Sequence, residues 1–274
     1  MNLWKAIIFL SLEVTAMINL LFADFCRLKK GSAFFLCLLG MAILASAFMV
    51  MQATAMEYTV PLSRVVFLPL TFYGVAAAAF VSVFIGADFK DGFIRNKLLF
   101  TKNRSELVIS HMIVSCAACA LIYAVTIFYT WTTASFFFEN DVEFDRLFQY
   151  FLLGIGMSCS VSCLFTVITV LCADQTHAVI WCMGISFGML FLSLHTHQLL
   201  VQTPYRDGVL NPHYTDGFRR ILYGILHDLN PCGQAAQLTC WNVWNPLRAA
   251  FCSLLWVMGA ALAGCTFFQK KDIK

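Results

Sequence analysis

Long apolar runs separated by short polar turns set the pattern of this chain. Uncharged stretches occur at Ala33 to Gln52, Val65 to Gly86, Leu107 to Phe138, Leu147 to Ala173, Ala178 to Val201 and Ala249 to Phe268. A helix needs about 20 apolar residues to cross a bilayer, so each run predicts one span. The run from Leu107 exceeds that need and is expected to tilt or project. Met1 to Phe25 is also apolar, but Lys5, Glu13, Asn19 and Asp24 interrupt it. It lacks the unbroken core and small-residue cleavage site of a secretory leader, so residues 1–28 read as an amphipathic helix in the membrane interface. Arg27, Lys29 and Lys30 would anchor its approach to the first span.

Two polar segments break this pattern. Asp88-Phe-Lys-Asp-Gly-Phe-Ile-Arg-Asn-Lys-Leu98 carries five ionised side chains, each costing roughly 2.5 to 3.5 kcal/mol at mid-membrane, so it must lie at or beyond the surface. Asp88 is placed to cap a short helix, Asp91 to Arg95 has i,i+4 spacing, and Phe89 and Phe93 would share one face. The other segment is residues 202–246. There Phe218, Ile221, Leu222, Ile225, Leu226 and Leu229 recur at helical spacing, and Asn230-Pro231 breaks the helix. Gln234 to Trp244 then predicts a second short helix, with Trp241 and Trp244 at the interface. Pro69 predicts a kink in the second span. The acidic turn Glu139 to Arg146 reads as a solvated loop.

Composition agrees: 60% of the 274 residues are hydrophobic and only 12% are charged, which excludes a soluble domain. The fold class is an all-α integral membrane protein of six spans, forming a single transmembrane domain over 1–274. A net charge of +3 gives no ground for a nucleic-acid partner. All nine lysines and Arg27, Arg95 and Arg104 fall on one side of the six-span arrangement, and the other six arginines on the opposite side. The positive-inside rule then places both termini and the 86–104 loop in the cytoplasm of a cell with this chain in its plasma membrane.

Candidate chemistry is sparse. Nine of the twelve cysteines lie in expected spans and serve most simply as packing residues. Cys232 and Cys240 fall on the outer side, where a disulfide is permitted, but a bridge between them requires a helix break near Gly233. His195-Thr-His197, with His213, raises an alternative metal-binding or enzymatic reading. Adjacent-but-one helical residues point to different faces, however, so no metal is assigned. The sequence contains no phosphate loop, no His-Glu-x-x-His and no Gly-x-Ser-x-Gly, so no enzymatic activity is assigned to this chain.

The segment Asp88 to Leu98, followed by Lys102-Asn-Arg104, resembles the first cytoplasmic loop of type-2 ATP-binding-cassette (ABC) permeases. Asn230-Pro-Cys-Gly-Gln234 resembles their outer re-entrant region before the last span. The resemblance implies a bacterial exporter permease in which Asp88, Phe89, Asp91, Gly92, Phe93, Ile94, Arg95, Asn96 and Lys97 form a coupling helix. That helix would dock on a separate ATPase subunit present in two copies, which binds ATP and Mg. It further implies an interfacial elbow helix at 1–28 and pairing with a second copy of the chain in the lipid bilayer. A cavity between the second and fifth spans would be lined by Phe67, Phe72, Tyr73, Phe187 and Phe191. An outer gate would be formed by Asn230, Pro231, Gly233 and Gln234. The cargo implied is hydrophobic or amphipathic, foremost a small peptide, with drugs or lipids as alternatives.

Overall fold

A computed structural model describes residues 18–55, 60–100, 104–206, 209–211 and 214–269. The side chains at 95, 98–100, 205, 206, 209 and 210 lie outside that description, as do the expected interruptions Lys5 and Glu13 and the candidate ligand His213. Helix α1 covers 18–30 and is followed at Ser32 by α2 (Ser32–Ala55). The second apolar run is built in pieces, from α3 (Ser63–Val66) through a tight 3-10 turn (Leu68–Phe72) into α4 (Tyr73–Lys90). Pro69 sits in the first turn of the 3-10 segment, where its missing N–H costs nothing, and the expected kink falls there.

Beyond α4 come α5 (Phe93–Phe100), α6 (Arg104–Ala134), α7 (Phe144–Cys172) and α8 (Gln175–Val201). A pair of two-residue antiparallel strands, β1 (Tyr205–Arg206) and β2 (Val209–Leu210), precedes α9 (Phe218–Leu229), α10 (Pro231–Thr239) and α11 (Pro246–Gln269). Among the described residues, six helices are long and apolar enough to cross a membrane: α2, the α3–α4 unit, α6, α7, α8 and α11. The chain is therefore an all-α, multi-pass membrane protein. α10 is shorter than expected: it stops at Thr239, and Trp241 turns away with a positive φ of 53°.

Helices α4, α6 and α7 supply most of the interior, and α2, α8 and α11 keep broad apolar faces turned outward. Outward residues such as Leu39, Ile43, Trp181, Phe251 and Leu262 are what a lipid-facing helix presents, because lipid offers no hydrophobic penalty. Inside, some polar groups pair across helices at close quarters. Tyr73 Oη donates to the Cys119 carbonyl at 2.7 Å, and Ser160 Oγ donates to the Ser253 carbonyl at 3.0 Å. The acidic turn is also less free than expected. Asp141 accepts from Ser63 N (2.9 Å) and Ser63 Oγ (2.6 Å), and the Glu139 carbonyl accepts from Leu62 N at 2.9 Å, which fastens the turn to the start of the second span.

Because consecutive spans alternate direction, α1 and α5 meet at one end of the bundle, and α9 and α10 lie at the other.

Candidate functional site

The α5 end is organised by a buried ionic cluster drawn from four helices. Asp24 of α1 is 3% exposed and Asp88 of α4 is 1% exposed, too deep for carboxylates without partners. Arg27 of α1 pairs with Asp88 and donates to the Phe84 carbonyl, its guanidinium lying 4.4 Å over the Phe84 ring. Lys97 of α5 bridges both acids, at 2.5 Å to Asp24 and 2.8 Å to Asp88. Ser110 Oγ of α6 donates to Asp24 at 3.3 Å, and His111 Nε2 stands 3.5 Å from Asp88 without an aligned hydrogen bond. Burial pushes the Arg27 and Lys97 cations below their ordinary range, and Asp24 opposes that push in both. Ligating atoms of Asp24, Asp88 and His111 lie within 4.8 Å of one another. Arg27 and Lys97 already balance the two carboxylates, so the cluster is neutral as it stands.

This cluster revises the coupling-helix reading residue by residue. Asp88 caps no helix: it sits in the last turn of α4, which runs on to Lys90. The chain then bends at Asp91-Gly92, with Gly92 at φ 70°, a left-handed conformation natural to glycine. α5 begins only at Phe93, so Phe89 and Phe93 belong to different helices and share no helical face. Asp88, Lys97 and Ile94 (3% exposed) turn into the protein, because α1 covers this side of the loop. Lys90, Asp91, Asn96 and Phe93, at 51% exposed, remain on the surface, with Phe89 and Gly92 partly covered. The Arg95 side chain lies outside the described residues. Between α1 and α5 runs a groove of about 550 Å³, walled by Asn19, Leu20, Phe93 and Asn96 above the ionic cluster.

The candidate cavity residues divide. Phe67 is wholly buried against Tyr150 and Trp241, and Tyr73 is buried against Tyr123, so neither lines an open cavity in this conformation. Phe72, Phe187 and Phe191 stay exposed on the outer surface of their helices.

At the opposite end, the break at Asn230-Pro231 falls where expected. Asn230 Oδ1 accepts from Cys232 N at 3.1 Å to cap α10, and its Nδ2 donates to the Met189 carbonyl at 2.8 Å. Gln234 reaches the Asp228 carbonyl at 2.9 Å and accepts from Ser253 Oγ at 2.8 Å. Pro231 and Gly233 are buried with them, so the four candidate gate residues form a tight seam among α8, α9, α10 and α11. Asn230→Ala is expected to cost about 1 to 2 kcal/mol, since it loses the cap and the additional hydrogen bond to the Met189 carbonyl that ties α10 to α8; a thermal melt in detergent reads this.

Cys232 and Cys240 are both free, at opposite ends of one intact helix. No break occurs between them, and the rise of eight helical residues, about 12 Å, exceeds bridging distance. His195 and His197 also part company: His195 is exposed, and His197 turns toward His227 and Cys240.

Sequence reasoning missed Asp24, Arg27 and His111 as one cluster and missed His227, Asp228 and Arg248 altogether. Asp228 is 1% exposed, accepts from Gln237 Nε2 at 2.5 Å and pairs with Arg248. The available signal was that an ionisable residue inside or beside an apolar run needs a partner.

No protein-family model and no curated protein sequence matches the chain.

Proposed function

We propose that this chain is the permease subunit of an ATP-driven ABC exporter, paired with a second copy of itself and driven by a separate ATPase subunit docked at the α5 end. The observation that supports this reading most is the α4–α5 elbow. A short helix carrying exposed Phe93 and Asn96, entered through a bend with exposed Asp91, is tied through Lys97 and Asp88 to α1, α4 and α6. A lever needs a free outer face for the motor and a stiff inner attachment, and this elbow has both.

Closure of the ATPase around ATP and Mg would press on α5. The ionic cluster would carry that displacement into the second and third spans, and the docked state must favour one permease conformation by several kcal/mol to move the equilibrium fully. The chain would supply no catalysis, because its sequence lacks a phosphate loop. Exposed Phe72, Phe187 and Phe191 on the second and fifth spans would face the twofold partner or a cargo at that seam. Their apolar character favours a hydrophobic or amphipathic cargo, foremost a small peptide. Helix 18–30 would be the elbow helix in the inner leaflet, in a plasma membrane with both termini cytoplasmic.

Copurification tests the reading. A tagged full-length chain is expected to bring down a nucleotide-binding subunit, and Phe93→Ala to weaken that capture about tenfold, as loss of an aromatic anchor does. Transport by a chain that purifies with no nucleotide-driven companion would overturn it.

A further inference from the structure

Four side chains at the α10 end form a directed relay that leads outward to an exposed thiol. Cys240 Sγ lies 3.2 Å from His197 Nε2, His197 Nδ1 lies 3.4 Å from His227 Nε2, and His227 Nδ1 lies 3.0 Å from Thr196 Oγ1. Thr196 commits its only hydrogen to the carbonyls of Leu192 (2.8 Å) and Ser193 (3.1 Å), so its oxygen accepts from His227. His227 therefore carries its proton on Nδ1 and offers a lone pair at Nε2. His197 then donates from Nδ1 and presents a bare Nε2 to the Cys240 thiol. Burial, then the neighbouring His197, hold the His227 imidazole down to about 4, so it is a neutral acceptor at physiological pH. Trp244 stacks on the His197 ring, with 6.2 Å between centroids and 7° between planes, which fixes the ring's orientation.

We propose that Cys240 is a nucleophilic thiol, with His197 as its base and His227 as the positioning residue, that reacts with low-molecular-mass disulfides to form a mixed disulfide. A nucleophile within reach of a base that is itself oriented by a third group is the arrangement of an activated thiol. Partial burial pushes the Cys240 thiol up, and its place at the C-terminal end of α10 gives a thiolate no help from the helix dipole. The sulfur is thus a thiol at rest and needs its base during attack. As Cys240 Sγ bonds to one disulfide sulfur, its proton passes to His197 Nε2. The old S–S bond breaks, and the leaving thiolate takes that proton, so one disulfide and one thiol replace one disulfide and one thiol.

Acyl transfer fits less well, because it needs amides aimed at an oxyanion. The neighbouring ones are spent: Cys240 N on the Ala236 carbonyl, Trp241 N on Leu238 and Asn242 N on Gln237. Attack on sulfur has no such need. The product persists, since Cys232 is buried at the far end of α10 and cannot displace it. Among other groups facing this site, His195 is exposed on another face of α8, and Asp228 and Arg248 pair with each other.

The test is to treat the full-length chain in detergent with oxidised glutathione and follow the mass added to each cysteine peptide across pH. Cys26, exposed on α1, is the internal reference. Cys240 is expected to react faster than Cys26, with a rate that rises as His197 loses its proton and levels off below the range of an ordinary thiol. His197→Ala is expected to slow Cys240 on the order of a hundredfold, and His227→Ala to slow it less, while both leave Cys26 unchanged. The proposal is overturned if Cys240 in the unsubstituted chain merely tracks Cys26, climbing with pH as a simple thiol, a comparison that needs no variant to fold. It is equally overturned if a folded His197→Ala chain reacts at the parent rate.

Discussion

Asp88→Ala is expected to destabilise the protein by about 3 kcal/mol, the lower part of the range for breaking a buried ion pair. Asp88 is the shared anion of the α5-end cluster, contacting Arg27, Lys97 at 2.8 Å and His111 at 3.5 Å. Its removal leaves two cations facing Asp24 alone. The Lys97 side chain is only 14% exposed and has no easy route to water, whereas Arg27, at 29%, relaxes outward and softens the loss. The measurement is the melting temperature of the full chain in detergent, read beside the Arg27→Gln, Asp88→Asn double variant. Restoring the charge balance should recover a substantial part of the loss. A single variant that melts with the parent, or a double variant no better than the single, would remove the cluster from any structural role. If the exporter reading holds, the single variant should also uncouple ATP hydrolysis from transport while capture of the ATPase through Phe93 persists.

Gly233→Ala is the second large effect, at about 3 kcal/mol, the upper end of ordinary overpacking. An added methyl at Gly233 would overlap the His227 carbonyl and crowd its ring. The obstacle is backbone, so α9 and α10 must move apart rather than one side chain turn aside. That movement would strain the Asn230 and Gln234 hydrogen bonds that tie the pair to α8 and α11. It should also lengthen the contact between His197 and His227, so the variant is expected to slow Cys240 as well as lower the melt. Unchanged stability with ordinary packing at this seam would show that α9 and α10 are not held as tightly as the geometry requires.

Local features of the chain were legible because they obey local rules. The Asn230-Pro231 break was readable, since asparagine caps and proline suits a first turn wherever they meet. The kink at Pro69 was readable from the proline itself, though not that it takes the form of a 3-10 turn. Asp88 misled because its immediate neighbours make a plausible cap, while the groups that claim it sit 61 residues earlier on α1 and 23 residues later on α6. The histidines misled in the same way. His195 and His197 are close in sequence, but a helix turns them apart, and His197 finds its partners 30 and 43 residues downstream.

The sequence by itself determined six spans, their approximate limits and the polar elbow between the second and third, because an uninterrupted apolar run of about 20 residues satisfies its backbone in a bilayer as a helix, and the bilayer expels ionised side chains. Tertiary packing alone decided which charges meet and which face outward. Hydropathy follows position along the chain, whereas a buried ion pair depends on how helices are rotated and crossed. Asp24 with Lys97 and His197 with Cys240 exist only because α1 folds over α5 and α10 packs against α8.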